Sequence, residues 1–196
     1  MEAALLQATS GRQLKSGEIG LRFLFGALAG MKRNDIVFDM MMQPKHPSYI
    51  RFVERGETAL PEFWTDDSRS RNHDMMGHIL EWLYKELLGI SSLSDAYREI
   101  LIAPGCFDRI QYASGSHCSI RGKIQCEFKL EGRGYQLTVT IPPNTRGRVK
   151  LPIISDRAVI MEEGNPIGYD YVQERGRPYA IIGIQSGSYR FTVDGQ

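Results

Sequence analysis

The spacing of hydrophobic residues changes about halfway along the sequence. In the first half, apolar residues recur at intervals of three and four, which is the spacing of one helix face. The pattern predicts three helices with Ser16, Asn34 and Asn72 as their N-cap residues. Gly30 and Gly89 are expected to end the first and third helices at their C′ positions. The predicted core positions, helix by helix, are Ile19, Phe23, Leu24, Ala27 and Leu28; Ile36, Val37, Met40 and Met41; and Met76, Ile79, Leu80, Leu83 and Leu87.

After Pro104 the period changes to two, which is typical of β-strands. The clearest case is the segment 135–141, in which Tyr, Leu, Val and Ile alternate with Gln and Thr. Short strands separated by Gly-rich turns favour an antiparallel β-sandwich. We therefore expect a helical domain at residues 1–103 and a β-sandwich domain at residues 104–196. The other predicted strand segments are 120–130, 149–151, 158–161, 179–184 and 189–193.

Composition narrows the classes of partner. The 196 residues carry a formal net charge of +1, so the total charge does not indicate nucleic acid. No apolar run is long enough to cross a bilayer, and the N-terminus lacks the pattern of a signal peptide. Three cysteines without a C-x-x-C pattern indicate free thiols in a reducing compartment. We expect a soluble, cytoplasmic protein that binds neither nucleic acid nor membrane.

The candidate chemistry lies in the long connection at residues 43–71 and just after it. A connection of this length in a compact domain is usually functional. Glu62 precedes Phe63 and Trp64, whose rings are of the kind that stack on sugar faces. His73 lies at or beside the start of the third predicted helix, where its imidazole can share a hydrogen bond with a substrate hydroxyl.

Each of these two residues also has a purely structural alternative. Glu62 is one acid among several in the connection, and a histidine at a helix start can be satisfied by the backbone. Spacing alone leaves both interpretations open, and glycoside hydrolysis normally needs two carboxylates.

Other chemistries have little support in the sequence. His73 and His78 are five residues apart, which is not the zinc spacing of H-E-x-x-H, so we predict no metal site. The absence of G-x-S-x-G, G-x-G-x-x-G and P-loop motifs removes the usual signs of acyl-transfer, dinucleotide and nucleotide chemistry, and we predict no cofactor. Cys106 and Cys118 could act as nucleophiles, but a structural thiol is the more common case.

A series of motifs runs through the chain in a fixed order. The segment 56–64 is similar to "GATTLWExW", the segment 70–77 to "SxNHxMFG", and residues 81–90 to "EWLYxxLAGI". These are motifs of the α-L-rhamnosidases of glycoside hydrolase family 78, which the chain resembles over nearly its whole length. The further segments that share the resemblance are 14–24, 47–49, 102–104, 119–124 and 139–145.

The resemblance implies a fold and a reaction. The fold would be the last helices of a six-hairpin (α/α)6 barrel followed by a C-terminal β-sandwich. The reaction would be the inverting hydrolysis of terminal α-L-rhamnosides, with a rhamnose-containing glycoside as substrate. On the matched positions Glu62 would be the general base that activates water and His73 would bind rhamnose, while Trp64 and Asn72 lie in the same motifs as further substrate-binding candidates.

The chain also departs from the family pattern. The family's general acid lies in an earlier segment, and nothing in residues 1–30 resembles it. We therefore expect the chain to be inactive or nearly inactive alone. The alternatives are a non-catalytic carbohydrate-binding or interaction module, or the C-terminal half of a split enzyme whose barrel is completed by an upstream polypeptide or a second copy. Pro61 stands where the family motif has a tryptophan, which could move the Glu62 loop.

Overall fold

Two compact units make up the chain, Met1–Leu83 and Tyr84–Gln196. The computed structural model describes residues 2–45, 47–65, 70–105, 110–132, 134–155, 159–174 and 176–194. Cys106 therefore lies outside the described residues, as does the tip of the candidate loop at residues 66–69. The units divide between Leu83 and Tyr84, whereas the sequence analysis placed the domain boundary between residues 103 and 104.

Short helices form the first unit. Helix α2 packs against both α3 and α5, and the buried Trp82 indole of α5 donates a 2.9 Å hydrogen bond to the Asn34 side chain of α3. No helix in the described part of the chain is long and apolar enough to cross a membrane. The helices are α1 (Glu2–Ala8), α2 (Glu18–Gly30), α3 (Asn34–Met41), α4 (Tyr49–Glu54), a 3₁₀ turn (Asp74–Gly77) and α5 (His78–Trp82), which continues as one π-helical turn (Leu83–Leu87).

Helix α2 buries a different face from the predicted one. Ile19 and Phe23 are 69% and 73% exposed, and of the five predicted core positions only Leu28 is fully buried. The buried set is Leu21, Phe25, Leu28 and Ala29, and its i, i+4, i+7, i+8 spacing is also that of one helix face. The helix therefore carries two apolar stripes, and its packing against α3 and α5 buries only one of them.

The predicted helix ends are also displaced. Gly17 rather than Ser16 occupies the N-cap of α2, and the helix runs through Gly30 to a left-handed residue at Lys32 (φ 58°). His73 rather than Asn72 occupies the N-cap of the 3₁₀ turn that begins the third predicted helix.

The predictions for α3 are largely correct. Ile36, Val37 and Met40 are buried as predicted, but Arg33 rather than Asn34 occupies the N-cap, and Asn34 is the first residue of the helix. In the third predicted helix, Met76 and Ile79 are buried but Leu80 is exposed, and Trp82 takes its place in the core.

Eleven strands in the described residues form two sheets in the second unit. One sheet has the order β1-β2-β6-β10-β9 and the other β3-β4-β5-β11-β7-β8. Every pair is antiparallel except β2 with β6, which is parallel. The strands are β1 (Ile90–Ser92), β2 (Glu99–Ile102), β3 (Tyr112–Ser119), β4 (Gly122–Glu131), β5 (Gly134–Ile141), β6 (Arg146–Pro152), β7 (Val159–Glu162), β8 (Asn165–Pro166), β9 (Asp170–Glu174), β10 (Arg177–Ile184) and β11 (Gly187–Asp194).

Strand structure begins earlier than the period of the sequence suggests. Strands β1 and β2 both precede Pro104 and pair with each other, so the change from helix to strand comes at Ile90. Strand β1 has three residues and β2 has four, and segments this short give no clear alternation.

The core of the second unit lies between its two sheets. The predicted alternation of β5 is confirmed, since Tyr135, Leu137, Val139 and Ile141 are all buried. Burial also raises the pKa of the Cys126 thiol to about 12, so this cysteine stays protonated at neutral pH. Residues from both sheets join one hydrophobic cluster, which includes Ile100, Ile102, Val149, Leu151 and Ile182 from the first sheet and Ile124, Phe128, Leu137, Val139 and Phe191 from the second.

Candidate active site

The loop between α4 and the 3₁₀ turn folds back on itself and forms two paired arms, residues 60–62 and 70–73. The Glu62 N–H donates a hydrogen bond of 3.1 Å to the Ser70 carbonyl. The His73 N–H donates one of 2.8 Å to the Leu60 carbonyl. The two hydrogen bonds pair the arm that carries Glu62 with the arm that carries His73, so that Glu62 lies beside Ser70 and His73 beside Leu60. The structure therefore places the two principal candidate residues on adjoining arms of one loop.

Further contacts hold the paired arms. Arg71 forms an ion pair of 2.6 Å with Glu57, which lies between α4 and the first arm. The Tyr49 hydroxyl of α4 donates a 2.6 Å hydrogen bond to the Met76 carbonyl in the 3₁₀ turn, and burial raises the pKa of this phenol. The 3₁₀ turn that follows the second arm is therefore tied to α4.

The Trp64 side chain is a packing residue of this loop. Its ring stacks on Phe52, with centroids 5.7 Å apart and planes 7° from parallel. The Tyr49 ring meets it edge-on at 5.3 Å, and the indole N–H donates a 2.8 Å hydrogen bond to the Ser16 carbonyl. One ring face and the polar atom of Trp64 are thus engaged within the protein, and the loop is anchored to the segment just before α2.

His73 meets a carboxylate that sequence reasoning left without a role. Its Nε2 atom lies 3.2 Å from Oε2 of Glu18, the first residue of α2. Both side chains are mostly buried, with exposed fractions of 25% and 21%. The signal available in the sequence was the position of Glu18 within the matched segment 14–24, but the contact spans 55 residues and depends on how the loop folds.

Asn72 is exposed and does not cap the turn. Its backbone N–H donates a 3.4 Å hydrogen bond to the Ser70 hydroxyl. This bond lies within the second arm, just before His73. Its proposed contact with substrate stays a prediction. In the described part of the chain, no group of three His, Cys, Asp or Glu side chains is arranged to hold a metal ion.

Two family models match the chain in sequence, one over each part. The bacterial alpha-L-rhamnosidase 6 hairpin glycosidase domain matches residues 2–87. The bacterial alpha-L-rhamnosidase C-terminal domain matches residues 89–165. The chain belongs to the bacterial α-L-rhamnosidase family. Its helical unit corresponds to the end of the six-hairpin barrel and its sandwich to the C-terminal β-domain, so the expected fold class is confirmed.

Individual α-L-rhamnosidases are similar over most of this chain. One from Streptomyces avermitilis is 27% identical over 97% of it, and one from Formosa agariphila is 25% identical over 91%. The matched parts are 19% and 20% of those relatives, so the chain spans about a fifth of their length.

Solved structures show the same similarity in three dimensions. The crystal structure of the Streptomyces avermitilis α-L-rhamnosidase complexed with L-rhamnose has a TM-score of 0.82 at 26% identity, covering 98% of this chain and 19% of the other. The structure of the α-L-rhamnosidase from Dictyoglumus thermophilum has a TM-score of 0.84 at 24% identity, covering 94% of this chain and 21% of the other, which supports the fold alone.

Proposed function

We propose that this chain carries the water-activating side of a site that hydrolyses terminal α-L-rhamnosides with inversion. Glu62 is the general base, and His73 binds a hydroxyl group of the sugar. The observation that carries the proposal is the pairing of the two arms, because Glu62 and His73 lie on adjoining arms of one loop within a segment that matches the rhamnosidase barrel. A relative of known structure is complexed with L-rhamnose, which supports this sugar as the ligand.

The proposed reaction needs a second acidic group across the sugar. Glu62 takes a proton from water while the water oxygen forms a bond to the anomeric carbon. The bond from that carbon to the leaving-group oxygen breaks, and a general acid gives that oxygen a proton. In inverting enzymes the two carboxyl groups are about 6.5–9.5 Å apart. Because residues 1–30 contain no motif like the family's acid segment, we propose that this acid comes from outside the 196 residues.

Hydrolysis of an aryl α-L-rhamnoside tests the proposal that the chain supplies the general base but not the general acid. Loss of a general acid costs about 10²–10⁴ in rate, so the purified chain should hydrolyse the aryl glycoside at or near the background rate. The comparison is with Glu62→Gln, which removes the proposed base. Robust hydrolysis above that control would contradict the proposal that the acid lies elsewhere.

A second candidate function is association without catalysis, and one observation favours it. Ile19 and Phe23 lie four residues apart on α2 and are more than two-thirds exposed, so they form an apolar stripe. The partner that fits this stripe is a polypeptide bearing the earlier hairpins of the six-hairpin barrel.

Calorimetric titration with L-rhamnose, with and without such a polypeptide, separates the two functions. Binding that is lost in Glu62→Gln or His73→Ala supports the catalytic role. Assembly with the polypeptide but no sugar binding supports the association role, and sedimentation shows whether a second copy of the chain is the partner instead. The cytoplasmic location stays a prediction, based on the cysteine usage.

A further inference from the structure

Two buried polar atoms lie beside the paired arms without a hydrogen-bond partner among the described residues. They are Nδ1 of His73 and Oε2 of Glu18. The other imidazole nitrogen, Nε2, lies 3.2 Å from the same Oε2, which is within ion-pair range although the contact does not form a well-directed hydrogen bond. Burial of a polar atom without a partner is unfavourable, so such atoms are expected to gain partners from water or a ligand.

The loop is attached to the start of α2 at two points. The Trp64 indole bonds to the Ser16 carbonyl, and two residues later Glu18 meets His73. Glu18 opens the 13-residue helix α2, where a carboxylate is favoured by the free N–H groups of the first turn. Loop and helix start therefore fix each other, and the imidazole is held between them.

The chemistry of this contact determines which imidazole nitrogen carries the proton. An ionised carboxylate only accepts hydrogen bonds, and a neutral imidazole has one donor and one acceptor nitrogen. With Nε2 facing Glu18, the favoured neutral tautomer has its hydrogen on Nε2. Nδ1 then presents a lone pair, and in a sugar site the group that meets a lone pair is a hydroxyl.

We propose that Glu18 is a positioning residue that holds His73 in the Nε2–H tautomer, so that Nδ1 accepts a hydrogen bond from a hydroxyl group of the sugar. The identity of the sugar rests on the proposed function. The tautomer and its dependence on Glu18 do not, since both belong to the ligand-free protein.

Nitrogen NMR of the full 196-residue chain tests the tautomer. The chain has four histidines, so long-range proton–nitrogen spectra of the imidazoles can be assigned with a His73→Asn variant. We expect the neutral imidazole of His73 to be in the Nε2–H form, and Glu18→Ala to convert it to a mixture of tautomers. Glu18→Gln keeps a neutral hydrogen-bond acceptor at the first position of α2, so it should retain part of the tautomer preference. If Glu18→Ala lowers the folded fraction, Glu18→Gln is the variant to measure instead.

Glu81→Gln is the matched control. Glu81 pairs with Arg22 of the same helix α2 at 3.2 Å, so this variant also removes a carboxylate that meets α2. It should leave the His73 spectrum unchanged. A wild-type His73 without a tautomer preference, or with one that persists unchanged in Glu18→Ala, would overturn the proposal.

Addition of L-rhamnose tests the second half of the inference. We expect the Nδ1 resonance of His73 to shift in the wild type, and Glu18→Ala to weaken L-rhamnose binding about tenfold. If Glu18 controls the tautomer but L-rhamnose shifts nothing, the positioning role stands and the sugar assignment fails. If L-rhamnose binds without moving Nδ1, the assignment of Nδ1 as the acceptor is wrong although the proposed function survives.

Discussion

At the scale of single residues, the candidate side chains differ in the contacts that they already make within the protein. Trp64 has a ring face on Phe52 and its N–H on the Ser16 carbonyl, so its main task is to hold the loop. His73 keeps a buried nitrogen without a partner in the described part of the chain, which makes it the better candidate for a ligand contact. The packing of Trp64 could not be read from the sequence, because its partners Phe52 and Ser16 are distant along the chain.

Substitution of Trp64 should therefore lower stability. Trp64→Phe removes only the N–H and leaves the Ser16 carbonyl without this donor, at a cost of about 1 kcal/mol. Trp64→Ala also removes the stacked ring and should cost about 3 kcal/mol. Urea unfolding followed by the fluorescence of Trp82 measures both. Phe63→Ala, at an exposed neighbour, is the control and should have a clearly smaller effect. Equal losses at both positions would contradict the anchoring role.

At the scale of secondary-structure elements, the sequence predicted the buried residues correctly where an element has one apolar face. It did not do so where an element has two. The alternation of β5 has one interpretation, and its four buried residues are as predicted. Helix α2 has two apolar stripes, and only its packing against other elements selects the stripe with Leu21 and Phe25. The contact of Glu18 with His73 depends on the folded loop, so no local pattern could indicate it.

Gly89, at the change from helix to strand, shows why that junction tolerates one residue type. Its φ is +71°, and a Cβ there would lie 2.0 Å from the carbonyl carbon of Ala103. The Ala103 N–H also donates a 3.0 Å hydrogen bond to the Gly89 carbonyl, so the two backbones cannot separate without loss. The family motif that ends at residue 90 thus contains a glycine for a steric reason.

Gly89→Ala should lower the free energy of unfolding by more than about 2 kcal/mol, from left-handed strain plus the backbone clash. Two other glycines distinguish the cost of left-handed strain from the cost of the backbone clash. Gly164 has a φ of +84° and open space, so Gly164→Ala should cost about 1 kcal/mol. Gly168 has neither constraint, so Gly168→Ala should be near neutral. Urea unfolding followed by circular dichroism measures all three, and a cost at Gly89 no greater than at Gly164 would refute the clash.

At the scale of the whole molecule, the chain holds two recognisable parts of a larger family architecture. The helical unit matches the barrel model and the strands match the C-terminal domain model, while the chain spans about a fifth of its curated relatives. The resemblance of the motifs correctly predicted barrel helices followed by a β-domain. The predicted change of period at Pro104 comes after β1 and β2, which are too short to show a period of two.

We propose that Glu62 activates water beside a bound rhamnose, and a substrate that needs no general acid isolates that step. Fluoride leaves α-L-rhamnosyl fluoride without being protonated, so a site with only a base can hydrolyse it. We expect the chain to release fluoride slowly, with β-L-rhamnose as the first product by NMR because the reaction inverts. Glu62→Gln should abolish this release, whereas Glu54→Gln, at an exposed acid of the same region, should not. Release that is no faster than in buffer, or is unchanged in Glu62→Gln, would contradict the claim.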